Sequence, residues 1–443
     1  MQPAPEALVV TPALDAVGEW LWPAARELPP AVVARTRRLW LDTAACAFAG
    51  LRAAELTRWL ALQAEGDAGR VPLPGLATPL SASAAATAFA VGACWDEACE
   101  GVALAHGRPG VPVVAALWAQ LAVHDATWDQ LWRATAVGYE IGARLGARLR
   151  IKPGMHVDGV WSAFGAAAAV VFLRGGDWAC ARRAIEACAA QLPFSLYRPI
   201  RQGATIRNLY LGHSAWLGLQ AAQAALSDWT MPAGCLDDVL ALALDGGQGA
   251  VLPGPGDWLV LQSYWKPFAA VRHVHYGAQA SLRLRAALPA GVVPDEMRLT
   301  VYPEALQYCP NRAPATAIAA QFSLTWGLAA AWIHGALSPA EFRGDRFADE
   351  RVRRLEQRIV VEVDAQAFPP PARGARLFVR LGDRSWTVEQ GAVTGDAGLQ
   401  PDESQVLAKF SQFTGADAAM AQWADRVRTD PSRAAACLPR PGA

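Results

Sequence analysis

The feature that most constrains the fold is a long stretch, from about Pro30 to Leu226, in which alanine, leucine and arginine dominate and glycine and proline interrupt. This texture predicts many packed helices with short connections. Small alanine side chains let helix axes approach closely, which favours an all-α domain. The clearest predicted helices are Val33–Phe48, Ala82–Cys94, Val111–Val123, Trp128–Arg148, Ser162–Leu173, Trp178–Gln191 and His213–Leu226.

The composition and the hydrophobic pattern change near Gly254. Arg298–Tyr302 alternates, Arg358–Val363 is rich in β-branched residues, and Ala375–Val388 predicts two strands around Gly382-Asp383, which is a hairpin signal. We therefore expect a mainly α fold in three parts. These are an all-helical domain at 1–260, a smaller α+β domain at 261–395, and a C-terminal helical segment at 396–443 that packs back on the helical domain.

Charge and targeting signals narrow the class of protein. Forty basic and forty acidic side chains give a formal charge of zero, so no bulk field attracts nucleic acid or an anionic membrane. The N-terminus lacks the basic region and apolar run of a secretory signal, so we expect a cytoplasmic protein. Ala313–Leu337 is almost uncharged, but its Gln321, Ser323 and His334 favour a helix buried in the protein over a membrane span.

The cysteines and the short motifs exclude several kinds of site. Eight scattered cysteines without a CxxC pair predict reduced, packed thiols rather than disulfides or a zinc site. The sequence contains no GxxxxGK, GxSxG or HExxH pattern, and no glycine run follows a predicted strand. Serine-hydrolase chemistry and a phosphate-bearing cofactor are therefore disfavoured, and we expect neither a cofactor nor a metal.

His156 is the first candidate for proton transfer. It lies in the loop Lys152–Gly159, just before an alanine-rich run that begins a predicted helix at Ser162. The amide groups at a helix N-terminus favour an anion, and a histidine beside such a site can carry a proton. Asp158 either caps this helix or orients the histidine.

A second polar stretch, Thr205–Ala215, contains Arg207, Tyr210 and His213. Arg207 suits bidentate binding of a carboxylate but stays protonated, so it is a poor general base. Tyr210 and His213 are candidate proton donors or substrate contacts, or they form structural hydrogen bonds where the next helix begins.

Two further stretches carry candidate residues. After Lys266 come Arg272, His273 and His275, and two histidines one apart share a face of a strand, but no further metal ligand lies close in sequence. We interpret Lys266 and Arg272 as carboxylate-binding charges and His275 as an acid or base. The other stretch, Cys94–Gly110, contains Asp96, His106 and Arg108, in which an acid orients a histidine or binds a substrate hydroxyl, or the loop is simply solvated.

Taken in order, the stretches resemble the MmgE/PrpD family, which includes 2-methylcitrate dehydratase, cis-aconitate decarboxylase and iminodisuccinate epimerase. The resemblance covers nearly the whole chain, and Gly154-Met155-His156 with the run Phe164–Ala169 is its most specific piece. The other pieces are Leu28–Val33, Leu41–Ala44, Val137–Glu140 with Arg144, Lys266-Pro267-Phe268 with His275, Ala320–Leu324, and Pro401 to Phe410.

The resemblance implies a large helical domain, an α+β lid domain, a homodimer, and a cleft between the domains that needs no metal or flavin. His156 falls on an active-site histidine of the family. Asp96, Lys266 and His275 fall on polar positions that line the family's cleft.

The chain also departs from the family pattern. Arg207 stands where many members have lysine, Tyr210 replaces a histidine, and Arg108 takes a histidine position that His106 precedes by two places. Trp326 replaces an aromatic residue that is often tyrosine, and it is a candidate substrate contact. The abundant tryptophan favours a more apolar or aromatic substrate than the three named enzymes use.

The expected function is a metal-independent, dehydratase-type lyase acting on a small organic acid. His156, or else His275, moves a proton on the carbon next to a carboxylate or carbonyl. Arg207, Lys266 and Arg272 hold carboxylate oxygens, and Tyr210 or His106 donates a proton. The same groups are compatible with an epimerase or a decarboxylase, and a homologue that binds small molecules without catalysis is the rival from another class.

Overall fold

The computed structural model describes residues 9–244, 250–289, 291–369, 372–429 and 434. The start of the chain, Cys437 and most of the segment after 429 lie outside the described residues. Helices predicted at Ala82–Cys94, Trp128–Arg148 and Ser162–Leu173 are confirmed to within one residue at each end. The helices before residue 245 are α1 (Thr11–Ala24), α2 (Pro30–Leu51), α3 (Ala54–Gly66), α4 (Ala82–Trp95), α5 (Gly110–Gln120), α6 (Trp128–Arg148), α7 (Ser162–Leu173), α8 (Trp178–Ala189), α9 (Arg198–Arg201), α10 (Leu209–Leu226) and α11 (Cys235–Ala243).

Helix α7 lies at the centre of this helical part, where it packs against α5, α6, α8 and α10. Its residues are small and apolar, and nearly all of them are buried. A Cβ atom on Gly165 would lie 2.5 Å from the carbonyl oxygen of Gly138 in α6, so the two backbones are in direct contact. This contact holds the start of α7, and therefore the loop that carries His156 before it.

The rest of the chain adds a small sheet and more helices. Among the described residues, the short strand β1 (Ala68–Val71) pairs with the chain at Leu80. Four other strands form one sheet in the order β3-β2-β4-β5, with β2 parallel to β3 and the other pairs antiparallel. The strands are β2 (Glu296–Val301), β3 (Ile359–Val363), β4 (Ala375–Leu381) and β5 (Arg384–Gln390). The helices are α12 (Arg272–Ala286), α13 (Pro303–Tyr308), α14 (Ala317–Gln321), α15 (Leu324–His334), α16 (Gly344–Phe347), α17 (Glu350–Arg358), α18 (Glu403–Thr414) and α19 (Ala418–Thr429).

One face of the sheet is buried, as the alternating pattern predicts. Met297, Leu299 and Val301 of β2 are buried, while helix α12 packs against β4, β5 and α15. The predicted hairpin is confirmed, because β4 and β5 pair directly across Gly382. The described fold is therefore mainly α, with a small mixed four-stranded sheet.

The structure corrects two local expectations. The segment 313–337 is not one long helix, because α14 ends at Gln321 and α15 begins at Leu324 after the N-cap Ser323. His273 and His275 lie on α12 rather than on a strand, so they point in different directions around a helix. Among the described residues, no helix has both the length and the apolar character needed to traverse a lipid bilayer.

Helices α18 and α19 contact α2. Lys409 of α18 donates to Asp42 of α2 at 2.5 Å, and both side chains are buried. Aromatic rings reinforce this contact, because Phe48 of α2 lies 6.2 Å from Phe410 and 5.5 Å from Trp423 between ring centroids.

Candidate active site

A cavity of about 560 Å³ lies where the helical part meets the segment that begins near Tyr264. Its volume is within the range of roughly 300–1,000 Å³ that is typical of small-molecule sites. Five of the residues predicted from the sequence line it, namely His106, Arg108, His156, Lys266 and Arg272. The structure therefore brings together some of the predicted site residues in this cavity and places the others elsewhere.

His156 is held by a short backbone pairing. Its backbone N–H donates to the carbonyl of Ser195 at 2.7 Å, and Tyr197 donates to the carbonyl of Gly154 at 2.9 Å. The backbone N–H of Asp158 donates to the imidazole Nδ1 at 3.1 Å. A neutral ring that accepts at Nδ1 carries its hydrogen on Nε2, so His156 presents a donor to a ligand.

The His156 ring is neutral near pH 7. Burial lowers its pKa to about 4, although the nearby Asp158 carboxylate acts in the opposite direction. The side chain keeps 12% of its surface exposed, so the ring is not sealed in apolar packing.

Behind His156 two buried carboxylates bind three cations. Glu97 accepts from Lys266 at 2.9 Å, from Arg108 at 3.0 Å and from Arg207 at 2.8 Å. Asp158 accepts from both arginines, with the Arg207 contact at 3.4 Å. The five side chains therefore form one continuous ion-pair network, which we call the buried network.

Electrostatics keeps both acids ionised. Burial alone raises the pKa of Glu97, but the charges of Arg108, Lys266 and Arg207 outweigh it and hold the pKa well below its ordinary range. Burial likewise opposes ionisation of Asp158, and the neighbouring cations lower its pKa. Both acids thus stay charged and act as ligands for the cations.

His273 is a cavity residue that the sequence interpretation did not select. Its Nδ1 lies 2.6 Å from the hydroxyl of Tyr302, and its ring stacks on Tyr308 with centroids 5.5 Å apart. Burial, followed by the charges of Arg373, Lys266 and Arg272, lowers its pKa to about 3. A second neutral imidazole therefore faces the cavity.

Two cations of the cavity come from the chain around Lys266. Lys266 donates to the backbone carbonyl and the carboxylate of Glu97, which leaves its third ammonium hydrogen for a ligand. Arg272, at the first turn of α12, is paired with Asp396 and lies over the ring of Tyr264 at 5.7 Å.

His106 and Arg108 reach the cavity from the loop before α5. His106 has a left-handed backbone with φ of 57°, and burial, followed by the charge of Arg150, lowers its pKa. Arg108 lines the cavity as expected, but its guanidinium group is already bonded to Glu97 and Asp158.

The structure places the other predicted residues outside the cavity lining. His275 is fully buried, with Nε2 bonded to the carbonyl of Ala270 at 2.9 Å and its ring against Phe268. Asp96 is paired with Arg343 at 2.6 Å, and Arg207 acts only through the buried network.

Three more predicted residues lie elsewhere in the fold. Tyr210 lies behind His156, with ring centroids 6.1 Å apart, and donates to the carbonyl of Leu196 at 3.0 Å. His213 is exposed beside Trp216 on a separate groove. Trp326 is buried and packs against Phe342.

Several residues that line the cavity are not predicted from the sequence, for different reasons. His273 could have been separated from His275 by interpreting the stretch after Arg272 as a helix, because two residues one apart on a helix lie about 200° apart around its axis. Tyr197, Tyr308 and Arg373 come from distant segments, and no pattern around them indicates a site. Glu97 follows the candidate Asp96 directly in the sequence, but its three cations come from separate segments and are brought together only in the fold.

Comparison with known protein families identifies the family of the chain over most of its length. A model of the MmgE/PrpD N-terminal domain matches residues 23–240, and a model of the MmgE/PrpD C-terminal domain matches residues 268–426. The chain belongs to the MmgE/PrpD family. No curated protein matches it.

In this MmgE/PrpD chain the cavity takes residues from both matched domains. His156 and Arg108 come from the N-terminal match, Arg272 and His273 from the C-terminal match, and Lys266 lies just before the latter. Among the described residues, no three His, Cys, Asp or Glu side chains converge in a way that could hold a metal ion.

Proposed function

We propose that the chain is an enzyme that transfers a proton at the carbon next to a carboxylate or carbonyl of a small organic acid, as a dehydratase-type lyase. The observation that carries the proposal is the shared cavity of His156 and His273. Each ring is neutral near pH 7, and each has its Nδ1 already engaged by a fixed partner. Two oriented imidazoles beside cations are the groups that acid–base chemistry on a carboxylic acid requires.

The two rings take different roles. His156 carries its hydrogen on Nε2, so it donates to a carboxylate or carbonyl oxygen or to a departing hydroxyl group. His273 accepts the proton from carbon in the tautomer in which its Nδ1 donates to the oxygen of Tyr302. A bound carboxylate raises the pKa of either ring, because a nearby negative charge favours imidazolium.

Charge that develops on the substrate is stabilised by Lys266 and Arg272. The third ammonium hydrogen of Lys266 is available for this purpose, and the ammonium group is oriented by Glu97. Donors that are fixed before the reaction stabilise an enolate without reorganisation. Arg207 acts as a positioning residue, because it fixes Glu97 and Asp158 and has no contact with the cavity.

Dehydration follows from these roles. The carbon next to the carboxylate loses a proton to His273, the adjacent carbon–oxygen bond breaks, and the hydroxyl leaves as water with a proton from His156. Delivery of a proton from His156 to the opposite face of the carbon, while His273 keeps the proton it removed, gives epimerisation instead. Departure of the carboxylate as carbon dioxide, followed by protonation of the carbon, gives decarboxylation.

The proposal includes the domain arrangement expected from the sequence. Residues 261–395 would act as a lid on the helical domain at 1–260, with 396–443 packing back, in a cytoplasmic homodimer. The support for a lid is that cavity residues come from both sides of the boundary. Light scattering of the purified chain tests the homodimer, and hydrogen exchange of residues 261–395 with and without a bound acid tests the lid.

Proton exchange in deuterated water tests the chemistry directly. Wild type, His156→Gln, His273→Gln and the control His124→Gln are incubated with a panel of hydroxy, dicarboxylic and tricarboxylic acids, and mass spectrometry follows deuterium uptake and product. We expect activity in wild type and the control, and a loss of at least 100-fold in the other two variants, the scale of one acid–base group. Binding of acids without exchange by wild type would instead support a non-catalytic homologue.

A further inference from the structure

The charge available to a ligand is smaller than the number of cations around the cavity suggests. In the buried network three cations, Arg108, Arg207 and Lys266, share two carboxylates, which leaves one positive charge. Arg272 is matched by Asp396, and Arg373 by Glu304 at 3.1 Å. These two pairs add no net charge.

Arg150 supplies the second positive charge. It lines the cavity, and its guanidinium group donates to the carbonyl of Leu104, a neutral acceptor, at 3.4 Å. The site thus offers about two positive charges. A substrate with one carboxylate carries one negative charge at rest and a second when its enolate forms, so this balance fits a monocarboxylate.

The remaining wall of the cavity is aromatic and apolar. Ring contacts run from His156 to Tyr197 at 5.9 Å, from Tyr197 to Tyr308 at 6.2 Å, and from Tyr308 to His273 at 5.5 Å between centroids. Leu149, Ile151, Val157 and Phe322 line other parts of the same cavity. A second or third carboxylate on the substrate would have to lie against these surfaces without a cation of its own.

We propose that the substrate has a single carboxylate and an aromatic or extended apolar body, which packs against Tyr197 and Tyr308. This inference rests on the proposed function for the chemistry but is tested through binding, which does not require turnover. The carboxylate lies near Arg150 and Lys266, and the reacting carbon lies between the two imidazoles.

Titration calorimetry with a graded set of acids tests the inference. The probes are 3-hydroxy-3-phenylpropanoate, 3-hydroxybutanoate, malate and citrate, of which the first two differ only in phenyl against methyl. We expect the phenyl acid to bind at least 10-fold more tightly than the other three. Tyr308→Leu should weaken binding of the phenyl acid about threefold to tenfold and leave 3-hydroxybutanoate unchanged, because one aromatic contact is lost.

Two further variants serve as a control for the aromatic contact and as a test of the carboxylate site. Trp229→Leu changes an aromatic residue that is 66% exposed and should leave all four affinities unchanged. Arg150→Gln should weaken both monocarboxylates by the same factor. Circular dichroism of each variant confirms that it folds, and Tyr197→Leu replaces Tyr308→Leu if the latter does not.

The outcomes separate this inference from the proposed function. Tighter binding of citrate or malate than of the phenyl acid, or no binding of the phenyl acid, would overturn the inference whatever the exchange experiment shows. Selective binding of the phenyl acid without deuterium exchange would overturn the proposed function and support the substrate class. Conversion of the phenyl acid to cinnamate and water would support both.

Discussion

Replacing Glu97 with glutamine removes a charge that three cations share in the interior of the protein. The carboxylate accepts from Lys266, Arg108 and Arg207 at 2.8–3.0 Å, and its side chain is only 6% exposed. Removing one partner of a buried ion pair typically costs about 3–5 kcal/mol. Water in the adjacent cavity can solvate Lys266 in part, so we expect a loss near the lower limit, about 3 kcal/mol of unfolding free energy.

Urea denaturation followed by circular dichroism measures this loss, and an unchanged slope against urea shows that the variants unfold in the same way. Glu389→Gln is the matched control, since it removes a carboxylate from the exposed pair with Arg376, where such pairs contribute about 0–1 kcal/mol. Folding lowers the pKa of Glu97 from its ordinary 4.5, so its stabilisation is present above that pH and is lost as the pH falls further. A Glu97→Gln variant as stable as the control, or one with the acid sensitivity of wild type, would refute the network as described.

Other predictions test the packing, the C-terminal contact and the histidine. Gly165→Ala should cost about 1–3 kcal/mol, because its methyl group would meet a backbone oxygen at 2.5 Å, whereas Gly66→Ala, with no atom within 4 Å, should not destabilise the chain. Lys409→Met should lower stability by about 3–5 kcal/mol by leaving Asp42 buried and unpaired, and adding Asp42→Asn should recover part of it; equal stability of single and double variants in urea would contradict this. Burial lowers the pKa of the base His273 to about 3, so its ring can accept a proton throughout the neutral range, and kcat/KM for exchange should be level from pH 6 to 8 and fall only below about pH 4; an inflection near 6.5 would contradict it.

The helical part of the fold was largely predictable because its signals are local. Alanine-rich runs such as Ser162–Leu173 are bounded by loops with glycine and proline, and the structure ends the helices there. The prediction of one helix over 313–337 was wrong because hydropathy carries no information about helix capping. The Ser323 hydroxyl accepts from the backbone of Trp326 and interrupts what composition alone presents as one helix.

The site was less predictable because it depends on pairing between distant segments. His156 was found from its position between a loop and a helix N-terminus, which is a local feature. A strand would place His273 and His275 on one face, and only the family resemblance favours His275. On helix α12 the two rings lie about 200° apart, so His273 lines the cavity and His275 is buried. The role of Glu97 depends on Arg207 and Lys266, which lie more than 100 residues away in the chain.

Two arginines at positions where the resemblance predicts other residues lie far apart in the sequence and close together in the structure. The resemblance predicts a lysine where Arg207 stands and a histidine where Arg108 stands, yet both guanidinium groups bond to the same two acids, Glu97 and Asp158. A planar guanidinium group can bridge two carboxylates and stays charged, whereas an ammonium group is a point charge and an imidazole is often neutral. The two arginines therefore satisfy the protein's own acids, and the positive charge that remains for a ligand is limited to the share carried by Lys266 and Arg150. Selection among organic acids then depends on two features of the cavity: a second carboxylate finds no cation of its own, and the aromatic wall favours an apolar body.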